Sequence, residues 1–362
     1  MFYHLLYPLR DYFFGFNVFR YITFRAALAY LIAFLIVVWL GPRLIAFLKE
    51  LGARQQVRKE GYETLYQFQR SKQQTPTMGG VLILFAITLA TILCADITDD
   101  KIWLALLVMV GLGIAGFVDD YLKLTQRNAK GLSGSIKLLA QVTIGTVVGI
   151  YLFTGLNFSP ESEVPFFKDL SVHWGYWYIP FAALVITGSS NAVNLTDGLD
   201  GLAIGCLIMV GIAYALMSYI TGHFHFSHYL DVSYLKGSGE LTIFCSALVG
   251  AGMGFLWFNA YPALIFMGDT GALGLGGAIG AVALLIKKEF LLILVGGVFV
   301  VEALSVILQT TSFRLRGERI FKMAPIHHHF QLVGWSEPQV IVRFWIISAL
   351  LALMSLATLK LR

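Results

Sequence analysis

The sequence predicts an all-α integral membrane protein, a bundle of about ten transmembrane helices whose catalytic loops face the cytoplasm. Three observations carry this. The 362 residues are 57% hydrophobic and only 13% charged, against about 25% charged in a soluble domain. Apolar runs recur along the whole chain, and many reach the roughly 20 residues that a helix needs to cross a bilayer. The polar residues capable of chemistry fall into alternate connections between those runs.

In chain order, the expected spans are 21–42, 77–95, 101–118, 136–154, 176–193, 201–221, 240–258, 262–286, 290–311 and 340–359. No long polar stretch separates them, so residues 1–362 read as a single membrane domain. The first 20 residues cluster aromatics around Arg10 and Asp11 without a small-residue cleavage site, which suggests an uncleaved interfacial segment. Cys94, Cys206 and Cys245 sit in or beside apolar runs without metal-ligand spacing and read as packing residues. The net charge of +5 does not imply nucleic acid, because its Lys and Arg residues occupy short connections rather than a soluble basic face.

Ten spans place both termini on one side and the odd-numbered loops on the other. Odd loops hold Arg43, Lys49, Arg54, Arg58, Lys59, Arg70, Lys72, Lys123, Arg127, Lys130, Lys137, Arg314, Arg316, Arg319 and Lys322, the larger share of the 26 basic residues. The positive-inside rule therefore puts the odd loops in the cytoplasm, with Lys287 and Lys288 on the other side. The same parity gathers Asp119 and Asp120 (loop 3), Asn191, Asn194, Asp197 and Asp200 (loop 5), Asn259 and Asp269 (loop 7) and His327, His328 and His329 (loop 9). Ordinary connections do not need five aspartates and three adjacent histidines, so an active site on the cytoplasmic face is expected.

Asp119 and Asp120 close the third span in GFVDDYLK, where two carboxylates meet the negative end of the helix dipole. A divalent cation, or Lys123 one turn on, would relieve the repulsion, and Mg²⁺ typically binds through one or two carboxylates together with substrate phosphates. Two solvated loop aspartates are the plainer alternative. In NAVNLTDGLDGL, Asp197 and Asp200 are spaced to share a face at the start of the sixth span, which Asn194 would cap. Helix N-termini favour anions and Gly198 and Gly201 admit a close ligand, so the pattern suits phosphate and metal; an ordinary acidic first turn accounts for one aspartate more easily than two. Asp269, in FMGDTGALGLGG, begins another helix; no nucleotide-loop pattern is present, and close helix packing is the better reading for most of Gly271, Gly274, Gly276, Gly277 and Gly280. Three adjacent histidines cannot all ligate one metal, so contacts to phosphate or sugar oxygens fit MAPIHHHF better. His223, His225 and His228 lie in an even loop among aromatics and read as interfacial. Glu302, an acid deep in a span, is a functional candidate by position; buried pairing explains it equally well, and it stays outside the catalytic set.

Together, TPTMGG (75–80), GFVDDYLK (116–123), NAVNLTDGLDGL (191–202), FMGDTG (266–271) and MAPIHHHF (323–330) resemble the motif set of the polyprenyl-phosphate N-acetylhexosamine 1-phosphate transferases. The histidine run, PFFKD at 165–169 and VIVRFWIIS near the end are similar to the family's MurNAc-pentapeptide branch, and the match runs through essentially the whole chain. The resemblance implies Mg²⁺-dependent attack of undecaprenyl phosphate on UDP-MurNAc-pentapeptide, giving lipid I and UMP, in the bacterial cytoplasmic (inner) membrane, by a multi-pass protein acting as a homodimer. It implies Asp119, Asp120, Asp269 and His328 as catalytic residues, with Asp269 the Mg²⁺ ligand and Asp119 and Asp120 candidates beside it. Lys72, Asp200, Asn259 and Phe266 would surround the uridine, while Lys123, Lys137, Asn194, Asp197, His327 and His329 would serve phosphates and sugar. Gln331 stands where members of the family often carry Glu.

Two other readings compete. A transferase using UDP-GlcNAc would share the aspartates but not the triple histidine. A secondary transporter would place ionisable groups near the midplane and show internal repeats, whereas here the polar groups crowd one membrane edge.

Overall fold

The computed structural model describes residues 1–52, 72, 74–126, 131–155, 159–167 and 170–360. Of the residues singled out above, Arg54, Arg58, Lys59, Arg70, Arg127, Lys130 and the last two positions of PFFKD lie outside the described residues. Among the described residues ten long helices follow one another: α1 (Ile22–Glu50), α2 (Gly80–Cys94), α3 (Asp100–Thr125), α4 (Gly134–Thr154), α5 (Tyr178–Thr196), α6 (Leu202–Gly222), α7 (Leu241–Asn259), α8 (Gly268–Leu285), α9 (Gly297–Arg316) and α10 (Glu337–Ala357). Eight are long and apolar enough to cross a membrane. The other two are α2, a shorter apolar helix of 15 residues, and α5, whose 19 residues end in a polar turn containing Asn191 and Asn194.

The bundle is built around α8. Its apolar window is 89% buried, against 22% for α9 and 28% for α1, so α8 is an inner helix while the other two turn most of their surface to lipid. It packs on α2, α3, α5 and α6, and α7 packs between α1 and α6. The glycines of α8 permit this. A Cβ on Gly276 would lie 2.7 Å from the Ser189 carbonyl oxygen, and one on Gly280 would lie 2.3 Å from Ser189 Oγ, so the packing role expected for these glycines holds. Cys94, Cys206 and Cys245 are free and buried, as expected.

Four details differ from the sequence reading. The eighth helix starts at Gly268 rather than 262, because 260–267 forms a connection to α7. The expected ninth span is broken: Leu291–Val295 is a separate turn, Gly296 interrupts, and α9 follows. Loop 4 contains a two-stranded antiparallel hairpin, β1 (Glu161–Glu163) with β2 (Ser171–His173), that an all-helical expectation omits. The histidine run is a short helix, Ile326–Val333, not an open loop. At the N-terminus, a short helix and two 3-10 stretches leave Tyr12, Phe13 and Phe14 exposed, in keeping with an interfacial segment.

At the end of the bundle remote from the aspartates, Arg25 of α1 makes two 2.7 Å bonds to the Glu240 carboxylate, which also accepts the Asp96 amide. This buried pair fastens α1 and α7 to the connection between α2 and α3.

Candidate active site

Three carboxylates from two helices converge. Oxygens of Asp119, Asp120 and Asp269 lie within 4.8 Å of one another. Their origin is local geometry: α3 runs on to Thr125, so Asp119 and Asp120 lie inside its last two turns rather than closing it. Adjacent helical residues point about 100° apart, and the two carboxylates accordingly do different work. Asp120 accepts the Asp269 amide at 3.2 Å, the Thr270 amide at 3.0 Å and the Thr270 hydroxyl at 2.7 Å. It thereby caps α8, whose own N-cap residue, Met267, supplies no side-chain bond. Asp119 accepts the Leu132 amide at 2.6 Å, which fixes the start of α4 against α3. Among the described residues Asp269 accepts no backbone amide, and it is the carboxylate freest to bind a cation.

Two lysines sit between these acids. Lys123 Nζ is 2.5 Å from Asp119 Oδ2 and 3.2 Å from Asp269 Oδ2. Lys137 Nζ, from α4, is 2.9 Å and 2.6 Å from the same two oxygens. Asp197 is the fourth acid. It accepts the Gly268 amide, and although part of its surface is open, the protein around it and the charges of Asp269, Asp120 and Asp200 push its pKa up to about 7. Four carboxylates against two ammonium groups leave an excess of two negative charges when all are ionised, which a divalent cation would balance. Oxygen-only donors beside lysines suit a hard cation that also holds phosphate.

Backbone approach makes this convergence possible. Gly268 has φ +75°, and a Cβ there would lie 2.7 Å from Asp120 Oδ2. A Cβ on Gly116 of α3 would lie 2.3 Å from the Asp269 carbonyl oxygen. The TPTMGG segment pairs with the start of α8: Phe266 donates to the Pro76 carbonyl, while Gly79 and Gly80 donate to Phe266 and Met267, all at 2.8 Å.

A second cluster adjoins it. Lys72 Nζ is 2.5 Å from Asp200 Oδ1 and also pairs with Glu337. The Ala263 amide donates to Asp200 Oδ2 at 2.9 Å, and Asn259 holds its turn by donating to the Ile265 carbonyl at 2.8 Å. The 197–201 segment departs from the expectation of a helix start. Asn194 belongs to the last turn of α5, Asp197 is the C-cap of that helix, and α6 begins only at Leu202. Gly201, at φ +77°, makes the reversal, so Asp197 and Asp200 lie on a tight turn and face different clusters.

The histidines face three ways. His327 lies 3.1 Å from Glu302, His328 Nδ1 is 2.9 Å from the Gln331 side chain, and His329 Nδ1 accepts the Lys322 amide. Burial, then the neighbouring His327 and Lys72, push the His328 pKa down to about 3 while Gln331 opposes the shift. His328 is therefore a neutral hydrogen-bonding group, not a cation for phosphate. The unfolded chain takes up this proton below about pH 6.5 and the fold does not. The stability is fully present above that pH and is lost as pH falls, on the order of 2 kcal/mol by pH 5. The melting temperature of His328→Asn in detergent should fall less between pH 7 and pH 5 than the parent's; equal slopes would remove this histidine as an acid-sensitive element.

Sequence reasoning missed Glu337, which reaches Lys72 and accepts the Asp200 amide at 3.1 Å from the first turn of α10. The capping box at Ser336 with Gln339 marks that helix start, but nothing local shows where its acid points.

Residues 102–287 of the chain that gathers these carboxylates and lysines match the profile of glycosyl transferase family 4. The first signature of the phospho-N-acetylmuramoyl-pentapeptide-transferases matches residues 72–84. The chain is 53% identical over 362 residues to the phospho-N-acetylmuramoyl-pentapeptide-transferase of Pelobacter propionicus, covering 100% of both chains. It is 54% identical to that of Citrifermentans bemidjiense, again over 100% of both, and 53% identical to that of Syntrophus aciditrophicus at the same coverage. The chain belongs to the phospho-N-acetylmuramoyl-pentapeptide-transferase family, multi-pass membrane enzymes of peptidoglycan synthesis.

Proposed function

We propose that the protein transfers phospho-MurNAc-pentapeptide from UDP-MurNAc-pentapeptide to undecaprenyl phosphate, forming lipid I and UMP. The carrying observation is the convergence of Asp119, Asp120 and Asp269 with Lys123 and Lys137 at one end of α3, α4 and α8. Asp269, with Asp119 and Asp120, would hold Mg²⁺, which neutralises pyrophosphate charge. Lys123 and Lys137 would turn from the carboxylates to phosphate oxygens. Lys72, Asp200, Asn259 and Phe266, with Glu337, would receive the uridine, and Asn194, Asp197 and the histidines the phosphates and sugar.

An oxygen of the lipid phosphate attacks the sugar-bearing phosphorus, and UMP leaves with the bonding electron pair. A phosphate monoester has a second pKa of about 6, so the acceptor is largely ionised and one-step displacement needs little base catalysis; Asp119, held ionised by Lys123, Lys137 and the Leu132 amide, is a weak base for any remaining proton. An apolar groove lined by Phe181, Leu184, Val193, Ile279, Leu292 and Phe299 runs along α5 toward this end. Val193 lies one helical turn before Asp197, so a polyprenyl chain in the groove would bring its phosphate to the aspartates.

UMP release should require both undecaprenyl phosphate and Mg²⁺. Exchange of labelled UMP into the UDP-sugar by protein free of polyprenyl phosphate would instead indicate a covalent intermediate. The positive-inside orientation predicts that a cysteine at Ser133 labels only from the cytoplasm and one at Tyr176 only from the other side; the reverse would invert the protein. Glu337→Gln should loosen Lys72 and raise the KM for the UDP substrate severalfold, with kcat little changed; an unchanged KM would leave Glu337 a packing group. A homodimer belongs to the same proposal, and a detergent-corrected mass near 40.1 kDa would contradict it.

A further inference from the structure

Glu302 and His327 are both fully buried. His327 Nδ1 lies 3.1 Å from Glu302 Oε2 as a close acid–imidazole pair, and among the described residues none of the carboxylate oxygens and ring nitrogens completes a hydrogen bond. The opposite edge of the ring meets the acidic turn, because a Cβ on Gly198 would lie 2.4 Å from His327 Nε2. The His328 ring packs against it with centroids 4.2 Å apart. An acid deep in a membrane helix is costly and is held by a specific partner. A neutral imidazole carries one N–H, and the nitrogen that faces a carboxylate keeps it.

We propose that Glu302 is a positioning residue that holds His327 as the Nδ1–H tautomer, so that the ring presents an unprotonated Nε2 to the Asp197–Asp200 turn. The inference rests on the transferase reading above and deepens it. A lone pair cannot bind a phosphate oxygen, and Nε2 is buried against the Gly198 backbone, so the neutral ring braces the Asp197–Asp200 turn rather than touching the substrate's phosphates. This narrows the earlier expectation that all three histidines serve phosphates and sugar alike. Glu302→Gln keeps the size of the side chain but removes the charge that fixes the ring proton on Nδ1, since an amide can face the ring with either its oxygen or its N–H.

The test is nitrogen NMR of the full-length protein labelled with ¹⁵N-histidine in lipid, with the His327 signals assigned by their loss in His327→Gln. The parent should show a protonated Nδ1 and a bare Nε2, and Glu302→Gln should show a population with the proton on Nε2, with kcat reduced about tenfold and the KM for the UDP substrate little altered. A bare Nδ1 or a doubly protonated ring in the parent would overturn the proposal, and that spectrum decides even if the variant fails to fold. A tautomer unchanged in a folded Glu302→Gln, or one shifted to Nε2–H with parental turnover, would also overturn it. UMP release by the parent tests the transferase reading separately, so failure there is distinguishable from failure of the tautomer assignment.

Discussion

Asp269→Asn should fold normally and lose turnover by at least about a hundredfold. The substitution preserves size and one oxygen but removes the charge from the carboxylate that no backbone amide claims. Asp120 spends its oxygens on the first turn of α8, so Asp120→Asn should lower stability as well as rate, whereas Asp269→Asn should lower rate alone. Rate against Mg²⁺ concentration separates the two roles. A well-folded Asp269→Asn with near-parental turnover at ordinary Mg²⁺ would remove Asp269 from the cation site.

Gly116→Ala carries the next largest effect. The added Cβ would lie 2.3 Å from the Asp269 carbonyl oxygen and 2.6 Å from the Thr270 amide nitrogen. Both are backbone atoms of the first turn of α8, so no side-chain rotation relieves the clash and α3 must part from α8. Overpacking of this kind costs about 1–3 kcal/mol, and here it also separates Asp119 and Asp120 from Asp269. Loss of most turnover with a lower melting temperature is expected. Gly111→Ala on the same helix is the control, since its Cβ would meet only the flexible end of Ile144. Equal activity in the two variants would show that the distance between α3 and α8 does not set the rate.

The spans were legible because burying a helix backbone in lipid demands long apolar runs, and those leave a strong trace. Parity did the rest for Asp119, Asp120, Asp269 and Lys137, because residues that share one membrane face and lie at helix ends have little room to be far apart. The limits of that reading are equally physical. Asp197 and Asp200 have a spacing that suits a helix face, and only the non-helical turn at 197–201, which ends in the left-handed Gly201, takes them to separate clusters. β1 and β2 are three residues each, too short to show alternation. Gly296 breaks the ninth span within a continuous apolar run, so hydropathy alone does not reveal it. Glu302 and Glu337 have partners at His327 and Lys72, distant in the chain, and such pairings are set by packing rather than by local pattern.

The most direct measurement of the central claim is formation of labelled lipid product by the purified protein with undecaprenyl phosphate, comparing UDP-MurNAc-pentapeptide with UDP-GlcNAc, each with Mg²⁺ and with EDTA. The account predicts lipid-linked product and stoichiometric UMP from UDP-MurNAc-pentapeptide with Mg²⁺, and background levels in the other three reactions. Equal product from UDP-GlcNAc, or full turnover in EDTA, would contradict it.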